Sequence, residues 1–117
     1  MLIYKFETFK DDRGVLVFTD IPKVDDTEWK YLTMGSLKPH TERGGHYHKK
    51  TLELLLCLSG RLRFKVGNEE IILEEGDAAY IPTGSIHTIY NDWDTLSSFV
   101  EFKSRPFIKG DNDVYKD

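Results

Sequence analysis

Three histidines and one glutamate in this sequence have the residue types and the spacing that suit a metal site. His46 and His48 are two residues apart, Glu53 lies in an apolar run, and His87 follows the turn sequence at residues 82–84. Imidazole nitrogens and carboxylate oxygens bind divalent iron, manganese, zinc, nickel and cobalt. We therefore predict that His46, His48 and Glu53 belong to one divalent metal site, whose ion the residue types leave open; a histidine placed like His87, taken alone, is more often structural than a ligand.

The position of Glu53 requires a break in the chain after the histidine pair. Side chains alternate between the two faces of a β-strand, so His46 and His48 share a face that an odd-numbered residue does not. We expect a bend or bulge at residues 49–51, where polar residues interrupt the apolar pattern. A bare carboxylate between two leucines would cost several kcal/mol, and a bound cation would remove that cost.

The remaining sequence predicts short strands rather than helices. Apolar residues alternate in short runs that glycine, proline, asparagine and aspartate interrupt. Many short strands favour an all-β sandwich or barrel with little or no helix, here as one domain over residues 1–117. The predicted strands are residues 2–6, 15–18, 28–37, 52–59, 61–66, 69–73, 78–81, 86–90 and 96–102. Residues 21–26 and 38–45 are predicted loops, and the polar tail 103–117 is expected to pack loosely or to cover a neighbouring chain.

Composition and charge argue against several classes of protein. The formal net charge is −4 and lysine and arginine are scattered, so we expect no nucleic-acid partner. The N-terminus lacks the pattern of a signal peptide, and no apolar run could span a bilayer. We expect a cytoplasmic protein without a membrane partner, in which the single cysteine, Cys57, is a buried strand thiol.

Two ordered sets of residues resemble the two sequence motifs of the cupin family, with the family's spacing. The first set is His46, Tyr47, His48, Glu53 and Gly60, and the second is Gly76, Pro82, Gly84, His87 and Asn91. His40 stands where the first motif usually has a glycine. The resemblance implies a cupin double-stranded β-helix, which is a jelly-roll barrel, with the three histidines and Glu53 holding a metal ion inside. It implies no particular reaction, because cupins host many chemistries.

A shorter stretch, residues 41–50, resembles cupins of bacterial surface-polysaccharide and nucleotide-sugar biosynthesis. This resemblance implies an isomerase or epimerase that acts next to a carbonyl of a sugar or nucleotide-sugar. Such a reaction needs a proton-transfer group and cationic groups that bind phosphate. The candidates for proton transfer are His40 and Tyr90, with Tyr31 and Tyr80 as further tyrosines, and those for phosphate binding are Arg43, Lys38 and Arg61.

Two other functions and the oligomeric state stay open. The chain could be an iron-dependent dioxygenase of the small-cupin type, or a module that binds a small ligand through its metal without turnover. A homodimer is expected, since small cupins commonly pair. Leu54, Leu56 and Leu58 also exceed what the interior of a small barrel needs, so they could pack against the second sheet or another subunit.

Overall fold

The computed structural model describes residues 1–20, 26–106, 108–111 and 113–116. These residues form eleven β-strands and no helix, so they contain no helix that could cross a membrane. The loop predicted at 21–26 lies almost entirely outside the described residues. The strands are β1 (Ile3–Lys5), β2 (Glu7–Asp11), β3 (Gly14–Phe18), β4 (Tyr31–Leu37), β5 (Thr41–His46), β6 (Glu53–Ser59), β7 (Leu62–Val66), β8 (Glu69–Leu73), β9 (Asp77–Ile81), β10 (His87–Asn91) and β11 (Ser97–Lys103).

Two antiparallel sheets and a separate hairpin make up the fold. One sheet has the strand order β1-β9-β6-β11-β4, the other has the order β5-β10-β7-β8, and β2 pairs with β3 alone. The all-β jelly-roll architecture predicted from the sequence is confirmed. Four strands matter for the site described below: β5 and β10 from the second sheet, and β6 and β11 from the first.

The main core fills the space between the two sheets. Leu62 and Phe64 of β7 are fully buried in it and Val66 packs against it, as the alternation along this strand predicts. Leu55 of β6 and Phe99 of β11 meet them from the other sheet. Side chains of both inner faces therefore hold the sheets together.

A second apolar cluster lies on the other face of β6. Leu54 and Leu56 are buried there, with Phe6 as a member of the cluster and Val17 of β3 packed against it. The leucines that seemed in surplus for one barrel are thus covered by the N-terminal strands of their own chain. They supply no reason to expect a second subunit.

The prediction of a loop at residues 38–45 is wrong, because β5 (Thr41–His46) occupies most of this stretch and pairs with β10. The sequence does not predict this strand, because its glycines and polar residues have low strand propensity. Gly44 lies so close to β10 that a Cβ atom on it would stand 2.5 Å from the carbonyl oxygen of His87. Glycine here permits the close backbone approach on which the pairing depends.

The C-terminal tail is held to its own barrel at two residues, although most of its described residues are exposed, as loose packing predicts. Tyr115 pairs with Tyr47 through two backbone hydrogen bonds of 2.9 and 3.0 Å, and their rings stack at 5.6 Å. Asp113 is buried against residues 49–51. Backbone pairing is invisible in the polar composition of the tail, and here it returns the tail to its own barrel.

Candidate functional site

His46, His48 and His87 converge between the two sheets. His46 ends β5 and His87 begins β10, and the two residues are paired in the ladder of these strands. One nitrogen from each of the three rings lies within 4.8 Å of the others, and the ring centroids are 4.7 to 5.1 Å apart. Three imidazoles this close could hold a metal ion together.

Glu53 reaches the same cluster from β6, in the other sheet. Its Oε1 lies 2.8 Å from His48 Nε2 and its Oε2 lies 3.9 Å from His87 Nε2, with the side chain 1% exposed. The bend required by the parity of the positions is present, at Lys49 and Lys50. The structure therefore brings together the four side chains that the sequence proposes as metal ligands.

Two atoms of the cluster are buried without a hydrogen-bond partner in the described part of the chain, and a bound cation would satisfy both. His48 Nε2 and Glu53 Oε2 are buried and have no hydrogen-bond partner among the described residues. Although Oε1 of Glu53 is close to the ring nitrogen, the two groups are not aligned for a hydrogen bond. Neighbouring ligand atoms at about 2.1 Å from one ion lie about 3 Å apart. The donor set thus fits a metal ion.

Burial keeps two of the imidazoles neutral. Burial lowers the pKa of His87 to about 4. The charges of His46 and His48 act in the same direction, and the negative charge of Glu53 opposes them. Burial and the charge of His48 also lower the pKa of His46. For His48 burial acts in the same direction, but contact with Glu53 outweighs it and raises the pKa. A neutral imidazole keeps the lone pair that binds a metal.

Glu101 of β11 adds a second carboxyl group beside Glu53. Burial and the negative charge of Glu53 raise the pKa of Glu101 to about 8. Burial would also raise the pKa of Glu53, but its close contacts with His48 and Glu101 lower it to about 2. Lys103 Nζ, 3.8 Å from Glu53 Oε1, favours the ionised form as well. At neutral pH the pair therefore holds one proton, on Glu101.

The cluster opens into a cavity of about 740 Å³. Apolar side chains, among them Ile89 and Phe99, form part of its wall. Two exposed basic residues, Arg43 and Lys116, also line it, and Arg43 forms no ion pair with any residue that the structure describes. The cavity thus combines a buried ligand cluster with basic groups near solvent, an arrangement suited to an anionic small molecule.

The two proton-transfer candidates of the sequence analysis do not line this cavity. His40 is exposed, with Nε2 2.7 Å from Oδ1 of Asp94. Tyr90 follows the cavity-lining Ile89 along β10, so strand alternation turns it outwards, where the Arg63 guanidinium lies 3.8 Å above its ring. Neither side chain therefore reaches the cavity that holds the histidine cluster.

Four other candidates also lie outside the cavity. Arg61 stacks over Trp93 at 4.7 Å, and Lys38 is exposed in a turn, so of the predicted phosphate-binding residues only Arg43 lines it. Tyr80 packs against the second apolar cluster. Tyr31 lines a smaller, adjoining cavity of about 200 Å³.

Glu101, Lys103 and Lys116 line the cavity without having been predicted. Alternation along residues 96–102 places Glu101 on the same strand face as Phe99, so a charged residue on the core face was a usable signal for it. No comparable signal marks Lys116, because its place depends on how the tail returns to the barrel.

Comparisons with known proteins agree with this architecture. Residues 33–101, more than half of the chain, match the model of the cupin domain. Quercetin 2,3-dioxygenase of Bacillus subtilis is 26% identical over 89 residues, which are 73% of this chain and 26% of that protein. The chain thus spans about a quarter of the length of that relative.

Two solved structures share the fold over almost the whole chain. A 3,4-ketoisomerase from Helicobacter canadensis superimposes with a TM-score of 0.78 at 21% identity, covering 99% of this chain and 90% of the other. The sugar 3,4-ketoisomerase QdtA from Thermoanaerobacterium thermosaccharolyticum, in complex with TDP, gives 0.72 at 23% identity, covering 99% and 87%. A variant of QdtA has been solved in complex with TDP-4-keto-6-deoxyglucose. Together with the domain match, the barrel and its histidine cluster show that this chain belongs to the cupin family.

Proposed function

We propose that this chain is an isomerase or epimerase of a sugar or nucleotide-sugar and works with one divalent metal ion. One observation carries the proposal: a single cavity holds both the histidine–glutamate cluster and the free cationic side chain of Arg43. The first could act on a sugar carbonyl and the second could bind the phosphate of a nucleotide. The TDP bound by one structural relative supports this class of substrate, and the resemblance of residues 41–50 supports a role in surface-polysaccharide biosynthesis.

The metal would be held by His46, His48, His87 and Glu53. Four ligands leave two positions of an octahedral ion for water or substrate. Bound there, the ion would polarise the sugar carbonyl as a Lewis acid. The protein itself contributes two neutral imidazoles and an ionised carboxylate in a buried site, which are the protonation states that ligation requires.

We assign the binding of the substrate phosphate to Arg43 and the transfer of a proton to Glu101. A guanidinium can grip a phosphate with two parallel hydrogen bonds, and Arg43 has no competing ion pair among the described residues. Movement of a proton next to a carbonyl needs a group within reach of the sugar. Glu101 lines the cavity beside Glu53, and we assign it to that position in place of His40 and Tyr90.

The experiment follows proton exchange on the metal-loaded protein with TDP-4-keto-6-deoxyglucose in D2O. We expect NMR to show deuterium entering next to the keto group and a rise in melting temperature on binding. Arg43→Ala should raise KM at least tenfold, whereas Lys38→Ala, outside the cavity, should not. Binding without exchange would instead support a non-catalytic binding module, and neither binding nor exchange would contradict the proposal.

The relative from Bacillus subtilis favours one alternative, an iron-dependent dioxygenase. The same three histidines and Glu53 would then hold iron, and the apolar wall with Ile89 and Phe99 would face an aromatic substrate. Oxygen uptake by the iron-loaded protein with quercetin tests this alternative. Uptake that depends on quercetin and is lost in His87→Ala would favour it over the isomerase.

We also propose that the chain forms a homodimer through the hairpin β2–β3. Its inner residue Val17 is packed against the second apolar cluster, but Phe9, Leu16 and Phe18 on the other face are 52, 64 and 52% exposed. Phe9 and Leu16 are directly opposite each other in the ladder, so the patch is continuous. A second copy, meeting it by two-fold symmetry, would cover the same patch on both chains.

A further inference from the structure

The bend between His48 and Glu53 is held by one residue from the far end of the chain. The carboxylate of Asp113 accepts the backbone N–H groups of Lys49, Lys50 and Thr51 at 3.1, 2.8 and 2.8 Å, and the Thr51 hydroxyl at 2.9 Å. These three successive N–H groups have lost their strand partners because the strand breaks here. A single carboxylate, 3% exposed, satisfies all of them.

The backbone of the same residue orients His48. The carbonyl oxygen of Asp113 lies 2.8 Å from His48 Nδ1, and a carbonyl can only accept, so Nδ1 carries the hydrogen. The other nitrogen, Nε2, then faces Glu53 at 2.8 Å with its lone pair free whenever the ring is neutral. Hydrogen bonds of this kind set the tautomer and the direction of metal-binding histidines.

Contacts on both sides keep Asp113 in place. Tyr115 is hydrogen-bonded to the backbone of Tyr47, and Lys49 Nζ lies 4.2 Å from the centre of the Tyr115 ring. Arg105 Nη1 lies 3.8 Å from Oδ2 of Asp113. Asp113 also adopts a left-handed backbone conformation, with φ of 54°. A non-glycine residue holds such a conformation where its surroundings stabilise it.

We propose that Asp113 is a positioning residue that aims His48 and Glu53 at one point, by pinning the bend with its carboxylate and His48 with its carbonyl. The inference rests on the proposed metal site and deepens it. The parity of the sequence positions would separate Glu53 from His48, and the hydrogen bonds of Asp113 stabilise the bend that joins them. Metal affinity and coordination geometry should therefore depend on a residue that binds no metal.

The test compares wild type with Asp113→Ala and Asp113→Asn, using Co²⁺ as the probe. We expect Asp113→Ala to weaken Co²⁺ binding at least tenfold and to change the visible absorption spectrum of the bound ion, which reports ligand geometry. Asp113→Asn keeps one acceptor oxygen and should lie between. Asp111→Ala, an exposed neighbour that does not touch the bend, should match wild type.

A second control separates positioning from general loss of stability. Leu56→Ala creates a cavity in the cluster on the outer face of β6, so it should lower the melting temperature without changing the Co²⁺ spectrum. Wild-type affinity and spectrum in Asp113→Ala would overturn the inference. So would a spectral change in Leu56→Ala as large as that in Asp113→Ala.

Hydrogen exchange tests the inference even if wild type binds no Co²⁺, an outcome that would contradict the proposed metal site itself. In the metal-free protein, the amides of residues 49–51 should be protected in wild type and exchange at least tenfold faster in Asp113→Ala. Equal exchange at these amides would show that Asp113 does not hold the bend.

Discussion

The carboxyl groups of Glu53 and Glu101 are neighbours on adjacent strands, and at neutral pH they hold one proton between them. The register of β6 and β11 pairs Glu53 with Lys103 and Glu101 with Leu55, so both carboxyl groups belong to the inner face. Two carboxylates in contact, one buried and one half-buried, cannot both ionise without a large electrostatic cost. The pair therefore presents a single negative charge to the histidine cluster, because burial and contact with Glu53 raise the pKa of Glu101, while contacts with His48 and Glu101 lower that of Glu53 against the effect of burial.

Removal of the Glu53 carboxyl group should weaken metal binding much more than removal of the Glu101 carboxyl group. Glu53→Gln removes the negative charge and an oxygen ligand, so we expect Zn²⁺ affinity at neutral pH to fall at least tenfold. Glu101→Gln replaces a protonated carboxyl group with a neutral amide of similar shape, and affinity should change less than about threefold. Isothermal titration calorimetry measures both. An equal loss in the two variants would mean that both carboxylates are needed as charged groups.

The raised pKa of Glu101 also predicts how stability depends on pH. A carboxyl group with an ordinary pKa of 4.5 that rises to about 8 on folding binds its proton more tightly in the folded state. Its contribution to stability is therefore present below pH 4.5 and is lost as the pH rises towards 8.

Urea unfolding of metal-free wild type should accordingly show this loss between about pH 5 and about pH 8. Glu101→Gln has no proton to lose, so its free energy of unfolding should change less over the same interval. The same dependence on pH in both proteins would show that Glu101 does not titrate in this way.

The histidine pair should be essential for metal content, unlike the surface histidine. The double variant His46→Ala, His48→Ala removes two of four ligands, and we expect less than a tenth of the wild-type metal by elemental analysis. His40→Ala is the control, because His40 contacts Asp94 at the surface and does not line the cavity. Full metal content in the double variant would refute the assignment of the ligands.

The gathering of the four proposed ligands was predictable because its signal is largely local. The spacing of His46, His48 and Glu53 within one short stretch combines with the parity rule of strands to require a bend, and the bend is there. The fold class was predictable for the same reason, since alternation and turn residues recur along the chain.

What the sequence left open depends on contacts between distant segments. His40 and Tyr90 have side chains suited to proton transfer, but their direction is set by a turn and by the β10 ladder rather than by residue type. Asp113 lies 62 residues from Thr51 in the sequence. No local pattern predicts that the Asp113 carboxylate holds the bend. The strand β5 was not predicted because two glycines have low strand propensity, and the close backbone approach that requires Gly44 shows only in the fold.

Gly44 offers a direct test of that close approach. In Gly44→Ala the new Cβ would meet the carbonyl oxygen of His87 at 2.5 Å and Cα of Thr88 at 2.8 Å, so β5 and β10 must separate. We expect a loss of stability of about 1–3 kcal/mol or more, and weaker metal binding because His46 and His87 move apart.

The adjacent Gly45→Ala is the matched control for this substitution. Gly45 also has a positive φ, of 71°, but a Cβ there would meet nothing within 4 Å. It should therefore show backbone strain without loss of metal affinity. Thermal unfolding and calorimetry compare the two variants. Equal behaviour of both would contradict a role for the close approach at Gly44.

The exposed face of the hairpin β2–β3 predicts the behaviour of the chain in solution. If a second copy covers Phe9, Leu16 and Phe18, light scattering at micromolar concentration should give the mass of a dimer. Leu16→Glu would place a charge in the centre of that interface on both chains, so it should give a monomer. Leu96→Glu changes an equally apolar residue that is 55% exposed outside the hairpin, and it should remain dimeric. A monomeric wild type, or a dimer that tolerates Leu16→Glu, would rule out the hairpin as the interface.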